Sequence, residues 1–88
     1  MPYTKQADRV VYVPLIKQAV YLLENSGNKT GDINFLFSSI LTKMFKNEER
    51  YENANKLIGV LECIKLELYR KHIAGYEDLK EKENGSIV

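Results

Sequence analysis

These 88 residues read as an all-α protein: a small three-helix bundle, single-domain from 1 to 88, that is expected to oligomerise. Apolar residues recur at helical spacing along three stretches, about 14–25, 33–46 and 53–73. Proline, glycine and acidic or amide residues stand where such helices should start and stop. At 44% hydrophobic composition the chain has enough apolar residues for one core and too little length for two. A chain this short buries only about two thirds of the surface it exposes when unfolded, so subunits that share surface would add needed stability.

Residues 1–13, MPYTKQADRVVYV, make an N-terminal arm with room for one short turn capped by Thr4. Pro14 opens the first helix, because proline disfavours helical geometry in the residue before it and suits the first helical position. Ile16, Ala19, Val20 and Leu23 follow at i, i+3, i+4 and i+7, and Gly27 is placed to supply the left-handed turn after Asn25. SGNKTGD forms the loop, with Asp32 as the expected N-cap of the second helix. Ile33, Leu36, Phe37, Ile40, Leu41, Met44 and Phe45 make one stripe along that helix.

KNEERYEN connects to the third helix, which should stop at Gly75. Wound at 100° per residue, Ala54, Leu57, Ile58, Leu61, Ile64 and Leu68 share an arc of roughly 120°, the expected core face. Val60, Cys63 and Leu66 lie outside it, leaving a polar strip around Asn53, Lys56, Glu67 and Lys71. So much apolar circumference suits a central helix, or one covered by a second subunit, and Gly59 suits close approach by another backbone. Residues 76–88 form a charged tail that can add a short helix before Gly85.

Thirteen Lys and Arg against twelve Asp and Glu leave a net charge of +1. The signs interleave: Lys56, Lys65, Arg70 and Lys71 alternate with Glu52, Glu62 and Glu67. A phosphate-tracking surface would gather one sign on one face, so no nucleic-acid partner is expected. Cys63 stands alone, which excludes an intrachain disulfide and a Cys-rich zinc site and suits a reducing compartment. The apolar runs fall well short of the ~20 residues of a spanning helix, and a basic-then-apolar leader is missing, so a cytoplasmic protein without a membrane partner is expected.

Catalytic residues, a metal site and a cofactor are not expected. Cys63 and His72 lie nine residues apart on one helix and cannot face each other, and the glycines fit no phosphate loop. His72 reads as a structural residue beside the end of the third helix. Glu48, Glu49 and Glu52 spell E-E-x-x-E, which resembles the Mg-binding carboxylates of the all-helical nucleotide pyrophosphohydrolases. That family places Glu and Asp three residues apart on a second helix. Here Glu62 is followed at that spacing by Lys65, which puts a cation where a ligand belongs.

Lys65 itself falls inside the apolar arc, between Glu62 and Tyr69. Either its stem runs past Leu61 and its ammonium pairs with Glu62, or Glu62, Lys65 and Tyr69 wall a pocket for an anion. Tyr3 and Tyr76 in the terminal segments suit a contact surface or the rim of a small core.

MPYTKQADR, GDINFLFSSIL, IGVLECIKLELYR and GYEDLKEKENG together resemble a family of short uncharacterised proteins from bacteriophages and prophage-bearing prokaryotes. The resemblance spans nearly the whole chain. It is most specific from Ile58 to Arg70 and at Tyr76, Glu77, Lys80, Asn84 and Gly85. The chain departs from the pattern at Gly75, where members often carry proline, and in a longer loop around Asn28 to Thr30. The resemblance implies a phage-related origin and brings no assigned activity with it. It also implies that Glu62, Lys65, Glu67, Tyr69 and Arg70 belong to a recurring motif, which points to binding.

The expectation is a non-enzymatic homo-oligomeric binding protein, with Glu62, Lys65, Tyr69, Arg70 and Tyr76 contacting a small anionic, nucleotide-like ligand. One alternative is a module that inhibits or adapts a host or virion protein through the Cys63 and Leu66 face. The other is the Mg-dependent pyrophosphohydrolase.

Overall fold

The computed structural model describes residues 4–85, and they are helical apart from short connections. The expected all-α class is what is found, with no strand among the described residues. The chain divides into two compact units, Met1–Glu48 and Glu49–Val88.

In the first unit, α1 (Gln6–Arg9) runs through a 3-10 turn (Val10–Tyr12) into α2 (Val13–Asn25). The arm is therefore more helical than one short turn. Its N-cap is Lys5 rather than Thr4, whose contribution is a carbonyl that accepts a 2.7 Å bond from Arg9 Nε. Pro14 lies in the first turn of α2, where its missing N–H leaves no helical bond unmade. At the other end Gly27 takes φ +87° and Asn28 φ +56°. The Asn28 N–H reaches the Leu23 carbonyl at 2.9 Å and the Gly27 N–H reaches Glu24 at 3.0 Å. This double bond pattern satisfies carbonyls that the last turn leaves open, and only glycine adopts such a φ without steric cost.

Helix α3 (Thr30–Asn47) starts earlier than the sequence suggests. Lys29, in extended geometry, is the N-cap, and its carbonyl accepts the Ile33 N–H at 3.1 Å. Asp32 is thus not the cap but sits inside the first turn, where its charge still faces the free N–H groups of the helix end.

The second unit is one continuous run: α4 (Tyr51–Leu68), a five-residue π-turn (Tyr69–Ile73) and α5 (Ala74–Asn84). Gly75 does not stop it. A glycine in helical geometry costs only about 1 kcal/mol relative to alanine, and the good helix formers around it carry the helix through. Gly85 is the terminator: its φ is +86° and its N–H bonds the Glu81 carbonyl at 2.8 Å. Most of the expected charged tail is therefore α5, and residues 86–88 lie outside the described part.

Burial differs from the winding argument. On α4, Leu57 is buried at 7% exposure, yet Ile58, Leu61, Ile64 and Leu68 of the same arc are exposed. Asn53, assigned above to the polar strip, is equally buried, and Glu67 is half-buried. Winding ranks positions by side-chain chemistry, whereas burial depends on what covers them, and a buried amide is tolerated when hydrogen-bonded. Consistent with that, every buried side-chain N or O atom among the described residues has a partner. Gly59, expected at a close backbone approach, has nothing within 4 Å of where a Cβ would stand.

Candidate binding surfaces

The five residues singled out above lie along α4, the π-turn and α5, and each has its own partner. Lys65 Nζ stands 3.3 Å from Glu62 Oε1, both side chains well exposed, which is the snorkelling arrangement. Arg70 Nη2 donates to both Glu67 oxygens at 3.0 and 3.1 Å, and Lys71 Nζ lies 3.2 Å from the same carboxylate. The Tyr69 hydroxyl donates to Glu77 Oε2 at 2.8 Å. Lys80 Nζ sits 5.6 Å from the Tyr76 ring centroid and 3.2 Å from Glu83. Accepting the Tyr69 bond, the Glu77 carboxylate holds that phenol above its ordinary 10.0, first through the bond itself and then through its negative charge.

Glu62 and Lys65 are thus brought together, while Tyr69, Arg70 and Tyr76 engage Glu77, Glu67 and Lys80. The Glu67 pairs follow i, i+3 and i, i+4 spacing and can be read from sequence. The Tyr69–Glu77 bond, eight residues long, cannot, because it spans the π-turn. In that turn the Ala74 N–H bonds the Tyr69 carbonyl five residues back instead of four. His72 lies inside it, exposed, with helix continuing beyond, so it does not sit at a helix end.

Glu48 is the C-cap of α3, and Glu52, in the first turn of α4, stands 3.7 Å from Arg50. Among the described residues no group of three or more His, Cys, Asp or Glu is placed to hold a metal ion. No described helix is long and apolar enough to cross a membrane.

Sequence reasoning missed a groove in the first unit. Leu15 and Leu22 of α2 and Phe35 and Leu36 of α3 line a cavity of about 360 Å³, with Gln18, Ser26 and Asp32 as its polar members. Leu15, Leu22 and Phe35 are exposed there. Only their identity as large apolar residues off the main helical stripes could have signalled it.

The family described as Domain of unknown function (DUF6899) matches residues 1–87. No curated protein and no solved structure matches the chain.

Proposed function

We propose, for a chain that belongs to the DUF6899 family, a non-enzymatic binding protein that works through contacts with other polypeptides. It is a phage-type protein that assembles with copies of itself in the host cytoplasm and engages a host or virion protein. The observation that carries this reading is the exposed apolar surface: Leu57 is the only buried hydrophobic residue among those described. Large side chains along α2, α3 and α4 meet solvent, far more than a monomer usually shows.

A small anionic, nucleotide-like ligand is the second reading. It is favoured by the π-turn that carries Tyr69 and Arg70, since such turns often mark functional sites. It ranks second because Lys65 and Arg70 already pair with Glu62 and Glu67, which an anion would have to displace.

Native mass spectrometry of freshly purified protein, followed by crosslinking in host lysate, separates the two. Oligomers of bare chain mass and one dominant crosslinked polypeptide are expected. Extra mass of a few hundred daltons per site would move the assignment to the ligand reading, and a bare monomer that captures nothing would end the first.

A further inference from the structure

The π-turn has a geometric effect on the apolar residues that flank it. Up to Leu68 the exposed apolar residues Leu61, Ile64 and Leu68 follow the 3-4 spacing of a coiled-coil seam. Past the adjacent Tyr69, whose hydroxyl is engaged by Glu77, the next ones are Ile73 and Tyr76, five and eight residues after Leu68 and out of step with that repeat. Wound as uninterrupted α-helix at 100° per residue, the five would spread over roughly 180°. The five-residue turn at Tyr69–Ile73 accommodates one additional residue and so sets α5 back by about 100°. The same five then fall within roughly 80°, with Leu79 at the margin.

We propose that this realigned stripe, Leu61, Ile64, Leu68, Ile73 and Tyr76, is a seam that pairs with the same seam of a second copy of the chain. The inference rests on the self-assembling reading above and names its surface. Three observations favour a second copy. The spacing is that of a self-complementary two-helix seam. The seam residues with Leu79 expose on the order of 600 Å² per chain, so a pair would cover about 1,200 Å², the lower bound of a stable interface. In the same heptad frame the two flanking positions hold Lys65 and Glu67, opposite in charge and paired within the chain with Glu62 and with Arg70 and Lys71, and Gly59 and Leu66 fall on the side away from the seam.

Leu66 supplies the test. Its exposure, 55%, is within two percentage points of Ile64 at 54% and Leu68 at 53%, so the isolated chain does not distinguish the three. Alanine keeps helix propensity at each position, and circular dichroism at the working concentrations checks that helix content is retained. Sedimentation velocity over a concentration series reads self-association of the full chain. Ile64→Ala and Leu68→Ala should each weaken it at least about tenfold, and Leu66→Ala less than about threefold. Equal effects at all three positions, or unchanged association in Ile64→Ala and Leu68→Ala, would overturn the seam and leave self-assembly standing. A wild-type chain that stays monomeric throughout would overturn both.

Discussion

Tyr69 and Glu77 stand two helical turns apart and are joined by a 2.8 Å hydrogen bond. Because the carboxylate stabilises the protonated phenol, the pKa in the folded chain is raised above 10.0. A raised value means the bond's contribution is fully present below pH 10 and is lost as pH rises through the folded value. Spectrophotometric titration should therefore give a wild-type minus Tyr69→Phe difference curve with its midpoint above 10.0, and Glu77→Gln should bring that midpoint down. A difference curve centred at the ordinary value would show that the bond is not held in solution. At Glu67 the expectation is the reverse of what two cationic partners suggest. Arg70 and Lys71 are largely exposed, so Glu67→Gln should cost less than about 1 kcal/mol in urea denaturation. Leu57→Ala, at the one buried hydrophobic position among the described residues, should cost about 2–3 kcal/mol in the same experiment.

At the scale of elements, what the sequence revealed and what it hid have separate physical causes. Helix identity was legible for α2, α3 and α4 because apolar spacing and local punctuation are properties of neighbouring residues; Gly27 at φ +87° is the plainest case. Gly75 misled because glycine is a terminator only where the backbone turns left-handed, and here that happens at Gly85. The two glycines should respond oppositely to alanine. Gly75→Ala places a Cβ in helical geometry with nothing within 4 Å, and thermal melts should show a gain of roughly 0.5–1 kcal/mol. Gly85→Ala forces a side chain into φ +86° and should lose about 1 kcal/mol or more. The π-turn was invisible beforehand because its signal is a phase shift between two apolar runs, which has meaning only once both runs are known to be one helix. Of the candidate site residues, the Glu62–Lys65 pair was legible from i, i+3 spacing, whereas the partners of Tyr69 and Tyr76 depend on that same shift.

For the molecule as a whole, the balance between buried and exposed apolar side chains decides what kind of protein this is. Helices of 13 to 18 residues owe most of their stability to packing of an apolar face rather than to propensity. With Leu57 alone buried among the described hydrophobics, the self-assembling reading proposed above has a large part of that packing come from another chain. Folding is then linked to association, and mass action makes the folded state depend on protein concentration. For a dimer, raising the concentration a hundredfold adds about 2.7 kcal/mol to the stability of the assembled form. Spread over two chains of this length, that corresponds to a rise in Tm on the order of 5–10 °C. Melts followed by circular dichroism at two such concentrations should show that rise in the wild type, and a lower Tm at both concentrations in Ile64→Ala. A Tm independent of concentration, with full helix content in the dilute sample, would mean that each chain is stable with its apolar stripes in water. The exposed side chains of α2, α3 and α4 would then be free to serve a different polypeptide without first giving up a copy of their own.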